Sequence, residues 1–154
     1  MTTRSTNIAR TFAVGDILEY PVIASDIIFK GSAVGENASG YARPLVAADP
    51  FLGFAEAKAD NSSGAAGDVS VRVKSKGYIK LPISAIAITS NDRAAVYASD
   101  DDTFTLTPGS NTLIGHVAQW VSTGYAIVEF DAARSNAITA ALVVALAAAV
   151  AADA

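Results

Sequence analysis

Leu52-Gly53-Phe54-Ala55, a polar stretch, then Gly67-Asp68-Val69-Ser70-Val71-Arg72-Val73: this phrase returns later in the chain as Ile114-Gly115-His116-Val117-Ala118, a short turn, then Gly124-Tyr125-Ala126-Ile127-Val128-Glu129-Phe130. Each copy reads as a strand opened by an apolar residue and a glycine, a loop, and an alternating return strand. Val69, Val71 and Val73 alternate with Ser70, Arg72 and Lys74, the period-two pattern of a strand with one buried and one wet face. A hairpin that recurs without catalytic residue types is a part used for its shape and surface. That directs the reading toward assembly rather than catalysis.

Strand and turn signals fill the chain on either side. Val14-Gly15-Asp16 turns into Ile17-Leu18-Glu19-Tyr20, and Pro21 ends that strand or places it at an edge. Ile23 to Lys30 centres on Ile27-Ile28-Phe29, and Tyr41 to Ala48 is a strand interrupted at Pro44. The Asp60 to Asp68 loop is expected to be exposed and mobile. Lys76-Gly77 is expected to turn the chain into Tyr78-Ile79-Lys80-Leu81, a hairpin partner for the strand before it. Ile83 to Thr89 reads as either strand or helix. Ala94 to Ala98, and then Phe104 and Leu106 beyond an acidic tip, give further short strands. Turn-bounded strands every 8–12 residues or so indicate an all-β core over residues 12–131, a small β-sandwich or barrel built from hairpins.

The end of the chain changes character. An alanine-rich C-terminal helix is expected over residues 135–154, with Ser135 or Asn136 as its cap. Ile138, Leu142, Leu146 and Val150 fall at four-residue steps along one side, joined by Val143. Val144 is the large apolar residue opposite, and no charge interrupts residues 135–152. The stripe packs either on its own domain or on a neighbouring subunit. Ala137 to Ala152, 16 residues long, falls short of the roughly 20 needed to span a bilayer and lacks basic or aromatic flanks. No membrane partner is expected.

The chain has 154 residues, no cysteine, 32 alanines and a net charge of -4. One domain of this size buries enough surface to need no disulfide or metal. Residues 1–11 read as a flexible polar arm carrying Arg4 and Arg10, without the apolar segment of a secretory signal. The scattered basic residues are not the footprint of a nucleic-acid binder, so no nucleic-acid partner is expected. Arg72, Lys74 and Lys76 put three positive charges on one wet strand face, which either protects a sheet edge or meets an acidic partner. Trp120 and Tyr125 bracket the turn of the second copy, where aromatics mark an interface or a sugar platform, or close one end of the core.

Catalytic signatures are missing from the sequence: there is no GxGxxG, no GxxxxGK[ST] and no GxSxG. The one histidine, His116, follows Ile114-Gly115 in a strand and reads as structural. Asp100-Asp101-Asp102 lacks the spacing of a calcium loop and reads as a solvated tip. No cofactor, metal or catalytic residue is expected.

Asn111-Thr112-Leu113-Ile114-Gly115-His116-Val117-Ala118, a turn, and Ala126-Ile127-Val128-Glu129-Phe130 resemble the closing hairpin of tailed-phage capsid cement (head decoration) proteins. Val14-Gly15-Asp16-Ile17-Leu18 resembles that family's opening strand. Gly77-Tyr78-Ile79-Lys80-Leu81-Pro82 and the segment from Arg93 to Tyr97 before Asp100 to Phe104 are similar to its middle strands. The stretch from Asp26 to Asp49 is longer than the family's pattern, and the helix after Arg134 is additional.

The resemblance implies a non-enzymatic protein made in the host cytoplasm and bound to the outer surface of the virion. There it would bridge major capsid protein subunits, as a homo-trimer. Candidate contacts with subunits or shell are Arg4, Arg10, Arg72, Lys74, Lys76, Trp120, Tyr125, Ile138, Leu142, Leu146 and Val150. The competing expectation is a β-sandwich module for carbohydrate or host-surface adhesion.

Overall fold

The computed structural model describes residues 15–154 apart from Asp92; the arm with Arg4 and Arg10 lies outside them. In chain order the strands are β1 (Ile17–Pro21), β2 (Asp26–Ile28), β3 (Ala33–Glu36), β4 (Ala42–Pro44), β5 (Phe51–Ala55), β6 (Ala59–Asn61), β7 (Ser70–Lys74), β8 (Lys76–Pro82), β9 (Ala95–Ala98), β10 (Phe104–Thr105), β11 (Thr112–Ser122) and β12 (Tyr125–Asp131). The helix α1 (Ala132–Ala152) follows without a break. Among the described residues the strands form two five-stranded antiparallel sheets and a β2–β6 ribbon. The chain is therefore an all-β core with a C-terminal helix.

The two sheets have one topology. The first runs β1-β7-β5-β3-β4 and the second, read from its other end, β8-β12-β11-β9-β10. Counted along the chain, both follow the order first, fifth, fourth, second, third. Val34 pairs Gly53 and Gly35 pairs Phe51, leaving Leu52 as an extra residue. Val96 pairs Gly115 and Tyr97 pairs Leu113, leaving Ile114 extra. The repeated apolar-glycine phrase is thus a β-bulge set at the same place in each sheet. Isolated parallel bridges, Val22 with Ala42 and Ile83 with Phe104, also match.

The bulge decides the core. Phe51 and Phe54 are three residues apart, which a regular strand would place on opposite faces. The extra residue brings both onto one face, where they meet Phe130 and Phe104 edge-on or tilted, at centroid distances of 4.9 to 6.4 Å. The other face of the first sheet, with Val22, Val34, Leu52, Val71 and Val73, packs on Ile28 and Ala59 of the ribbon. The matching residues of the second sheet, Ile83, Val96, Ile114, Ala126 and Val128, lie instead in the core shared with Phe51 and Phe54. Equivalent faces therefore point the same way. Ribbon, first sheet and second sheet stack front to back.

Two local expectations are corrected and a third is modified. β8 is no hairpin partner of β7: it pairs β12 in the second sheet, because both edges of β7 are already taken by β1 and β5. Ser75 makes the crossing, its N–H donating to Asp16 O at 2.8 Å and its carbonyl accepting from Ala132 N at 2.9 Å. The Asp60 to Asp68 loop is exposed over most of its length, as expected, but is tied to the body through Asn61. The side-chain amide of buried Asn61 donates to Ile23 O at 2.8 Å and Ala65 O at 2.9 Å, and Asp68 accepts from Ala65 N at 2.8 Å. Ile83 to Thr89 is neither strand nor α-helix; it holds a bridge at Ile83 and leads into a 3₁₀ turn, Ile88–Asn91.

The helix starts earlier than expected. Asp131 is its cap, the carboxylate accepting from Arg134 N at 3.1 Å. Ser135 and Asn136 cannot serve, because β12 runs straight into the first turn and both already lie inside the helix. With this earlier start α1 has 21 residues, and by length and composition alone it could cross a membrane.

Candidate interaction surface

α1 is fixed to the sheets only at its root. Ala132 and Ser135 are buried there. The Asn136 side-chain amide donates to Phe51 O at 2.9 Å, and its oxygen accepts from Phe51 N at 3.1 Å. Side-chain amide and backbone thus exchange two hydrogen bonds, as two strand residues would. Beyond Thr139 the helix passes the edge of the body. Leu142, Val143, Val144, Leu146 and Val150 are each 63 to 69% exposed.

The large side chains are not spread evenly. At 100° per residue Leu142, Leu146 and Val150 continue the side on which Ala132 and Ser135 pack against the sheets. Ile138, half-buried, begins the stripe. Val143 lies at the far edge of the stripe, and beyond Arg134 the rest of the circumference holds alanines and Val144. The stripe is thus a packing face that has outrun its own domain. Contiguous exposed apolar surface of this kind is characteristic of interaction sites.

A groove of about 580 Å³ lies at the root of the helix, between α1 and the loops at Ala48–Pro50 and 109–113, with Thr139, Ala140 and Val143 as one wall. Its floor is held by Asp49, 8% exposed, whose carboxylate takes both arms of the Arg43 guanidinium at 2.9 and 2.8 Å. The same carboxylate accepts from Val46 N at 3.1 Å, while Thr112 Oγ1 donates to Asp49 O at 2.9 Å. The hydrogen bond to Asp49 raises the Arg43 pKa above its ordinary value, its contact with the charged carboxylate adding to this against partial burial. The groove is a set shape rather than a soft gap.

The other anticipated contact residues lie apart. Arg72 and Lys74 are exposed on β7, but Glu56 lies 3.3 Å from Arg72 and Asp16 3.8 Å from Lys74. Lys76 belongs to the other sheet, opposite Asp131. The three positive charges therefore do not share one strand face. Trp120 sits opposite Ala126 and packs on the central core. Tyr125 is exposed, with Lys80 Nζ 5.0 Å from its ring centroid. The two aromatics form no common platform. Among the described candidates, Ile138, Leu142, Leu146 and Val150 are brought together as one apolar surface.

His116 lies between Ala95 and Glu129 in the second sheet, half-buried beside Arg134 and Ser135. Among the described residues no group of three His, Cys, Asp or Glu side chains is placed to hold a metal ion. The acidic tip is organised internally: Asp102 N donates to the Asp100 carboxylate at 2.9 Å and so lowers its pKa. Sequence reasoning missed Asn136 as the tether, because an amide at that point reads first as a cap. It also missed Tyr78, 68% exposed on the outer side of the second sheet; alternation along β8 was the available signal.

No known protein family, curated protein or solved structure matches this chain.

Proposed function

We propose that the chain is a structural capsid cement protein. In this reading it binds the outside of a tailed-phage head and stabilises the major capsid protein shell by bridging subunits. The observation that carries the reading is an apolar helix, without charge beyond Arg134, standing off a tightly packed stack of sheets. The stack is a rigid mount, and the helix is the part that needs a neighbour. Covering its exposed aliphatic side chains is worth roughly 1–2 kcal/mol each, given that each is about two-thirds exposed. The sequence resemblance supplies the kind of neighbour.

Several modest contacts joined in one trimer bind together far more tightly than singly, through effective concentration. A protein that binds the expanded shell and not its precursor stabilises the expanded state by mass action. The test is co-sedimentation with expanded and unexpanded phage heads, followed by heating. Binding confined to expanded heads, with a raised temperature of DNA release, supports the reading. Failure to bind any head removes it.

Tyr78 and Tyr125, both exposed on the second sheet, favour adhesion to carbohydrate as a second reading. Glycan binding lost in Tyr78→Ala and Tyr125→Ala, with no binding to heads, would establish it instead.

A further inference from the structure

We propose that the segment just before β1 docks on its own chain, with Phe12 and Val14 laid into the groove between β1 and the root of α1. The contact lies within one copy, so it stands whether or not the chain attaches to phage heads.

The groove is the first support. About 350 Å³ in volume, it is lined by Leu18 and Tyr20 of β1, Leu52 of β5, and Ala132 and Ala133 of α1. Three polar side chains of its wall are already engaged. Ser75 Oγ donates to Asp16 O at 3.2 Å, the Asn136 amide is bonded to Phe51, and the Asp131 carboxylate accepts from Arg134 N. The surface left open is chiefly apolar, which calls for an apolar occupant.

The internal repeat shows where cover is missing. Pro21 and Pro82 end equivalent strands, and Val22 and Ile83 form equivalent bridges just beyond them. Leu18, opposite Val73, therefore corresponds to Ile79, opposite Val128. Ile79 packs on the central core. In the first sheet the ribbon covers Val71 and Val73 but leaves Leu18 39% exposed.

Chain geometry supplies the occupant. Gly15, the first described residue, itself lines the groove. Phe12 is three residues earlier and so within about 10 Å of it. Along Thr11-Phe12-Ala13-Val14 the larger apolar residues alternate, so an extended segment turns Phe12 and Val14 to one side. So short a tether holds them at an effective concentration on the order of millimolar, which a free ligand or the arm of another copy has to exceed.

Charge agrees. Of the chain's 11 basic residues Arg4 and Arg10 lie before Gly15, and of its 15 acidic residues none does. A cationic segment thus meets a body with an excess of negative charge, including Asp131 in the groove wall and Glu19 on β1.

The chain lacks cysteine, so paired cysteines report the contact cleanly. Val14→Cys/Ala133→Cys and Ala13→Cys/Ala133→Cys are made in the full chain, both keeping Phe12, and oxidised in dilute solution. The expected product is a monomer closed by an internal disulfide. Position 13, on the other side of an extended segment, should close roughly ten-fold more slowly than position 14. Separately, Phe12→Ser should lower the thermal unfolding midpoint by about 3–6 °C, while Thr11→Ala leaves it in place.

Equal closure at positions 13 and 14 would show a loose tether and overturn the docking. So would a Phe12→Ser midpoint equal to that of the parent chain. Covalent dimers in place of closed monomers would overturn the chain's own groove as the host and assign the arm to a second copy.

Discussion

Asn136 and Phe51 are joined by a reciprocal pair of hydrogen bonds, side-chain amide to backbone, across 85 residues of chain. Together with the Ala132 N–H donated to Ser75 O, this tether sets the direction in which α1 leaves the sheets. It also links the helix to the strand whose bulge builds the aromatic core.

Asn136→Ala leaves both polar groups of Phe51 without that partner. Loss of stability by about 1–3 kcal/mol is expected in chemical denaturation. Faster amide exchange should appear first at Phe51 and in the first turn of α1. An unchanged midpoint would show that the tether does not hold the fold.

Gly53 and Gly115 occupy equivalent bulges, and each passes so close to the returning strand that a Cβ would overlap a backbone carbonyl, Lys74 O or Glu129 O. Gly53→Ala and Gly115→Ala should each cost about 3 kcal/mol or more, since the backbone must shift. Gly15→Ala, in open space, should change thermal stability by less than about 0.5 kcal/mol. Similar midpoints for all three variants would count against the duplicated bulge as the organising device.

Ending the chain after Thr139 removes the exposed part of α1 and spares Ala132, Ser135 and Asn136. The β fold should persist, with unchanged sheet circular dichroism, while association is lost in sedimentation. Ending it before Ala132 should in addition lower the unfolding midpoint, because the root is part of the packed body.

Asp100 has a lowered pKa, chiefly through the hydrogen bond from Asp102 N. Its contribution to stability is therefore present above the ordinary aspartate range and fades as pH falls through the lowered value. Solvent exposure keeps the effect small. Asp100→Asn should flatten that part of the acid limb of a stability–pH curve, with little change near neutrality. An unaltered acid limb would show that the turn does not couple to folding.

Much of the fold was legible because the information is local. Alternation along β7 and β12, the turn residues and the repeated apolar-glycine phrase all act within a few positions, so the strands and the C-terminal helix could be read directly. That the phrase marks a bulge could not. A bulge exists only against a partner strand, and Val34 and Val96 are far from Gly53 and Gly115 in sequence. The misread hairpin at Lys76-Gly77 has the same cause: whether β7 accepts β8 depends on β1 and β5 already lying beside it.

The site divides along the same line. The sequence by itself determined that an uncharged stripe of Ile138, Leu142, Leu146 and Val150 would lie on one side of a helix, because 100° per residue leaves no choice. Only the tertiary structure decided that the stripe is bare. Burial is a property of what stands opposite, and the sheets end at the second turn of α1. Tertiary packing likewise stacked the two repeats front to back, because the ribbon had already covered the face that a face-to-face pair would have used.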